Sequence, residues 1–232
     1  MGNFYFGAGR FREAIPYYQR ITELTPDSAQ AYNNLGASYA ITNQFALAAQ
    51  AFKRSLEIEP SAYTYSNAGS SLYFSGQLDE AIEMYNQAVE LAPEDFEYWG
   101  NLGDAYSASD SHKSKAHDMY AKALELAALR LEVNSSDVPT LSLTANYHAR
   151  TGNREKALFH LDQARALAPN DMYVYYFSAT AYCALGEYDL ALKALEVAIE
   201  LGYSEQLVKL DPGLVPLQSM PQFVALTQAG DD

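Results

Sequence analysis

The chain has one cysteine, Cys183, in 232 residues, so it cannot staple itself with an internal disulfide. Packing must hold the fold, and the scarcity fits a reducing, cytoplasmic setting. Positive charge is also short. Fifteen Lys and Arg stand against 29 Asp and Glu, a formal net charge of −14. Such a surface repels phosphate backbones and anionic lipid. Nucleic acid and membrane are therefore disfavoured as partners, and a neutral or basic protein is favoured. No apolar run is long enough to span a bilayer. Only four histidines occur. His112 and His117 have only Asp110 and Asp118 nearby, and His148 and His160 fall on different expected helices. That pattern fits surface polar roles better than ligation, so no metal site is expected. Neither a phosphate-cradling glycine loop nor a nucleophile elbow is present. No cofactor and no catalytic residue is expected, and the chain reads as a non-enzyme.

What the chain has is tyrosine, 19 residues against one Trp, and a hydrophobic fraction of 49%, too high for a disordered segment. It also repeats itself. Ala31-Tyr-Asn-Asn-Leu-Gly-Ala-Ser-Tyr39 aligns with Glu97-Tyr-Trp-Gly-Asn-Leu-Gly-Asp-Ala-Tyr106. Ala48, Phe52, Ser55 and Pro60 align with Ala81, Tyr85, Ala88 and Pro93. Pro26, Pro60 and Pro93 recur at nearly equal intervals. Each unit reads as two amphipathic helices. In the first, a large residue is followed four on by a small one: Tyr32/Gly36, Tyr65/Gly69, Trp99/Gly103, Leu141/Ala145, Tyr175/Ala179. In the second, Ala48, Ala81, Ala116, Ala157 and Ala191 recur. Small residues let paired helices approach closely, and large neighbours fill the space between pairs. Gly9, Asn43, Gly76, Gly152 and Gly186 fall where each hairpin must reverse.

These residues and this period resemble the tetratricopeptide repeat family, whose units are about 34 residues long. The resemblance implies an all-α, right-handed superhelical solenoid of helix-turn-helix hairpins that serves to hold a protein or peptide. Full hairpins are expected at 29–61, 62–95, 96–137, 138–171 and 172–201, preceded by a partial one at 1–28. Residues 10–25 read as a complete second helix whose partner needs residues before Met1, so the chain is expected to start inside a repeat of a longer protein. The stretch from Pro93 to Pro169 exceeds two periods by eight. One extra residue is assigned to the turn 109–115 and seven to the helix through 123–132. The segment 202–232 is not a repeat and reads as a capping tail. The long fourth unit, Gly202-Tyr203, and Asp211-Pro212-x-Leu214-x-Pro216-Leu217 together resemble the C-terminal repeat regions of bacterial signalling proteins, where such arrays follow a Ser/Thr kinase, an adenylate cyclase or a winged-helix domain.

Stacked hairpins present a concave face lined by first helices. Asn33, Asn34, Asn67, Ser70, Asn101, Asp104 and Asn146 are expected on it, as are Gly100, Ser66, Ser142 and Thr180. Asn34, Asn67 and Asn101 hold one register position. An amide carries an acceptor and two donors, so such residues suit the backbone of an extended peptide. Phe74 and Phe177 are the expected aromatic contacts. A paired-cation clamp for a C-terminal carboxylate would need more than Arg150, the one cation well placed. Cys183 reads as a small packing residue. The alternative role is an oligomerisation module, with a homodimer as its product.

Overall fold

The computed structural model describes residues 1–228, and every regular element among them is helical. The last four residues of the expected tail, 229–232, lie outside the described residues. The elements are α1 (Gly2–Gly7), α2 (Phe11–Leu24), α3 (Ala29–Ile41), α4 (Phe45–Ile58), α5 (Ala62–Phe74), α6 (Leu78–Leu91), α7 (Phe96–Ala108), α8 (Ala116–Val133), α9 (Val138–Arg150), α10 (Arg154–Leu167), α11 (Met172–Ala184), α12 (Tyr188–Glu200), α13 (Glu205–Leu210) and α14 (Pro221–Gln228). Two 3₁₀ segments, Lys113–Lys115 and Pro212–Leu217, complete the order. The chain forms two compact units, Met1–Pro93 and Glu94–Asp232. In the first, each helix from α1 to α6 packs on the next. In the second, α7 pairs with α8, α9 with α10 and α11 with α12, and α9 also lies along α11.

Local chemistry sets these boundaries. Ser28, Ser61, Asp95 and Asp171 cap α3, α5, α7 and α11, each accepting from a backbone N–H two or three residues on. At Asp137, ahead of α9, the carboxylate instead accepts from Arg130 Nε at 2.8 Å and Thr140 Oγ1 at 3.0 Å. Every hairpin reversal except the one between α7 and α8 uses a left-handed residue. Asn43 supplies one at φ 61°, where glycine serves at positions 9, 76, 152 and 186.

The glycine inside each first helix has a definite partner. A Cβ on Gly36 would sit 2.8 Å from the Phe52 ring, on Gly69 2.8 Å from Tyr85, on Gly103 2.7 Å from Tyr120, and on Gly2 3.0 Å from Tyr18. Gly2 thus takes in α1 the packing position that Gly36 takes in α3. In the fourth and fifth hairpins the same two positions carry Ala145 with Leu161 and Ala179 with Leu195, all fully buried. Glycine goes with an aromatic ring and alanine with leucine, so the filled volume is held roughly constant.

The long unit follows its own logic. Three residues that are helical elsewhere, here Lys113–Lys115, form a 3₁₀ turn, and α8 begins at the recurrent Ala116. It then runs on to Val133, whereas α4 and α6 stop at Ile58 and Leu91, each ten past its recurrent alanine. The seven added residues are about two helical turns, so the apolar face stays in phase.

His148 and His160, expected at the surface, instead form a half-buried stack with centroids 5.7 Å apart and planes 5° from parallel. Burial foremost, then His160 and Lys156, lowers His148 from its ordinary 6.5 to about 4. Burial lowers His160 too, although a Gln163 hydrogen bond opposes it. The fold therefore resists protonation that the unfolded chain accepts. The stability this pair contributes is complete above pH 6.5 and is lost as pH falls toward 4. The melting temperature followed by circular dichroism is expected to fall more steeply over that window for the native chain than for the His148→Gln/His160→Gln variant. Parallel curves would refute this.

Candidate peptide-binding site

The residue after each packing glycine has a fixed task. Where the ring over the glycine is tyrosine, that residue accepts its hydroxyl: Tyr18 donates to Asn3 at 2.8 Å, Tyr85 to Ser70 Oγ at 3.0 Å, and Tyr120 to Asp104 at 2.8 Å. Where the ring is Phe52, the following residue is Ala37, which needs no acceptor. Ser70 and Asp104 are therefore engaged in holding rings. A buried hydroxyl without a partner is costly, which explains the polar residue at this position.

In the first unit, α3 and α5 carry Asn33, Asn34 and Asn67, all half-buried. The Asn33 Oδ1 accepts from Thr64 Oγ1 at 3.4 Å, a long bond. The Asn34 Oδ1 accepts from Gln30 Nε2 at 2.7 Å. The Asn67 backbone oxygen accepts from Ser71 Oγ at 2.9 Å, while its side-chain amide makes no hydrogen bond among the described residues. Ser66 is buried. Phe74 is half-buried and stacked on Phe45, with centroids 5.3 Å apart. Tyr63, also on α5, is more open, 59% exposed.

The second unit departs from expectation. Gly100, Ser142, Asn146 and Thr180 are buried rather than open. Tyr147, itself 2% exposed, lies over Gly100 so closely that a Cβ there would be 2.0 Å from its hydroxyl. The Asn146 amide donates to Thr180 Oγ1, and its oxygen accepts from Arg150 Nε at 3.2 Å. In these two hairpins Leu161 and Leu195 bring no hydroxyl, so the two polar side chains bond each other instead. Arg150 pairs with Asp104 at 3.5 Å. Asn101 is half-buried on α7. Phe177 is half-buried and packs on Tyr176, with centroids 5.2 Å apart. Cys183 is 4% exposed, and burial pushes its thiol up to about 11, which makes it an inert packing residue.

The tail explains much of this covering. Its 3₁₀ segment Pro212–Leu217 packs on α11 and on α7, the first helices of the fifth and third hairpins. Asp211 is 3% exposed and accepts from Tyr176 Oη at 2.8 Å and from the Gly213 N–H at 2.8 Å. Gly213 lies against Arg150: a Cβ there would be 2.8 Å from Nη2. Leu214 and Leu217 are fully buried in one core with Ala145, Ala149 and Ala181. The repeat pattern places the tail only at the end of the last hairpin. The tail also lies on the face of the first helices, and Asp211 is a site residue that repeat spacing does not reveal. The run Asp211-Pro212 is the available signal, since an acidic residue before proline favours a turn.

A family model described as the cilia and flagella-associated protein 70 C-terminal domain matches residues 1–208. No curated protein matches the sequence. Among solved structures, MamA is 19% identical at a TM-score of 0.56, over 73% of this chain and 95% of that one. The thermophilic repeat protein TTC0263 of Thermus thermophilus is 21% identical at 0.58, over 81% of this chain and 100% of that one. A chain of the APC/C hetero-tetramer Cut9-Hcn1 is 19% identical at 0.63, over 90% of this chain but 40% of that one. At these identities the likeness establishes the tetratricopeptide fold alone. No described helix is long and apolar enough to cross a membrane.

Proposed function

The chain belongs to the family of the cilia and flagella-associated protein 70 C-terminal domain, built of tetratricopeptide repeats, and on that premise we propose that it is a scaffold holding an extended peptide or protein segment on the face of α3 and α5. The observation that carries this reading is the Asn67 side-chain amide, half-buried on α5 and without a hydrogen bond among the described residues. Asn34, which bonds through its oxygen alone, keeps two amide protons for a ligand. Asn33, on a long bond to Thr64, yields at little cost. Amides of this kind read a peptide backbone, not its side chains, and the net charge of −14 favours neutral or basic sequence. Tyr63 and Phe74 supply the flanking aromatic surface.

Peptides selected by display on the purified chain test this. Methylating the backbone nitrogens of a selected peptide is expected to weaken binding about tenfold or more, because each methyl removes a donor and blocks approach. Side-chain exchange at the same positions is expected to matter less. The reverse ranking would remove the backbone-reading role.

The wider role we infer is the regulatory region of a larger cytoplasmic signalling protein of the bacterial type. The long α8, Gly202-Tyr203 and the Asp211-Pro212 tail support it. An effector domain in the same reading frame is the expected finding. A second reading, a homodimer, draws on apolar side chains exposed on α1 and α2 and just before them: Met1 77%, Phe4 65% and Leu24 64%. Light scattering on the native chain and on Phe4→Glu separates the two, since only a dimer built on this surface dissociates in the variant.

A further inference from the structure

The tail has the form of a bound peptide. It leaves α12 through α13 and the 3₁₀ segment to α14, in pieces of six, six and eight residues. Helices this short are marginal by themselves, so the tail is ordered by what it rests on. Pro212, Pro216 and Pro221 interrupt it, and Leu210 and Val215 remain 39% and 57% exposed. Val208, Leu214, Leu217 and Phe223 are buried in the core of the second unit, and between them the Asp211 carboxylate, Leu214 and Leu217 anchor the 3₁₀ segment.

The surface beneath is built for that pattern. Tyr176 Oη meets the carboxylate at 2.8 Å. Arg150, 13% exposed at its side chain, is positioned by the Asn146 oxygen at 3.2 Å and paired with Asp104 at 3.5 Å. Asn146 is braced in turn by Thr180. The leucines enter a core lined by Ala145, Ala149 and Ala181, small residues that leave room for larger side chains. Burial pushes the Asp211 carboxyl up, against the Gly213 N–H, Tyr176 and Arg150, which favour its charge. Seating the charged tail at neutral pH therefore carries a desolvation cost that the released tail escapes.

We propose that Asp211–Leu217 is a tethered ligand, and that the surface it covers is a recognition site for a partner segment of the same chemistry: a carboxylate, a tight turn, and leucines three and six residues on. The tether supplies a high effective concentration, on the order of millimolar for a short linker, so the site stays closed to weak competitors. A partner opens it by binding more tightly or by engaging a second surface of the chain. This site is independent of the α3–α5 face, and either can fail alone.

The probe is a labelled synthetic peptide with the sequence of residues 205–219, titrated into the 232-residue chain. Leu214→Asp unseats the chain's own tail and is expected to bind the peptide about tenfold or more tightly than the native chain does. A peptide carrying Asp211→Ala is expected to lose that gain, as is the chain variant Arg150→Gln/Leu214→Asp. A helical Leu214→Asp chain that binds no peptide would overturn the proposal. Hydrogen exchange on the native chain decides the matter if that variant does not fold. The amides of 205–228 are expected to exchange about tenfold or more faster than those of α11 and α12, through local release. Exchange of both only together would make the tail an integral cap and overturn the proposal.

Discussion

Gly100→Ala is expected to destabilise the second unit by about 2 kcal/mol or more, although alanine gains roughly 1 kcal/mol of helix propensity over glycine. The added methyl would sit 2.0 Å from the Tyr147 hydroxyl, 2.3 Å from Cζ and 2.6 Å from Cε1. The ring has nowhere to go. Tyr147 is 2% exposed and stacked on Tyr120, centroids 5.9 Å apart, and Tyr120 is fixed through Asp104. Chemical denaturation followed by circular dichroism reads the loss. Tyr147→Leu is expected to cost stability alone yet recover much of it when combined with Gly100→Ala, because the shorter side chain vacates the contact. Additive losses would show that the methyl finds space elsewhere.

Exchanging one packing pair for the other is expected to be costly as well. Leu161→Phe places a ring over Ala145, where the array elsewhere has glycine, and is expected to cost about 3 kcal/mol by overpacking. Ala145→Gly alone is expected to cost about 1 kcal/mol through helix propensity, and more through the space it leaves. The double variant reproduces the pair Gly36 and Phe52. Its loss is expected to fall short of the summed single losses by about 2 kcal/mol, a coupling of the size seen between touching residues. Independent effects would mean that volume matching does not govern this position.

These two pairs also mark how far the sequence can be read. Period, turn residues and large–small spacing act within one hairpin, so α3 to α12 were legible from local pattern. The two added turns of α8 were legible because a helix can only lengthen in whole turns without rotating its apolar face, whereas the 3₁₀ form of Lys113–Lys115 was not, since spacing shows only one extra residue in 109–115. Gly100 was not. It shares its helix with Gly103, and only the seating of Tyr147 from the next hairpin distinguishes a buried glycine from an exposed one. Asn146 and Thr180 read as face residues by register, yet they bond each other because Leu161 and Leu195 replace the tyrosines that engage this position elsewhere. The seat of Asp211 beside Tyr176 and Arg150 joins three positions far apart along the chain. No periodicity links such residues, since the tail lies outside the repeat. The histidine stack likewise depends on how α9 and α10 face each other.

The amides on α3 and α5 are proposed to hold a ligand backbone. The most direct measurement is the affinity of a display-selected peptide for the native chain and for Asn34→Ala/Asn67→Ala, by titration calorimetry, with helicity checked on the same samples. Both side chains lie on the helix surface, so the variant is expected to keep its helicity while affinity falls about tenfold or more, roughly 1.4 kcal/mol. Equal affinity for the two proteins, with helicity intact, would move the ligand off this face.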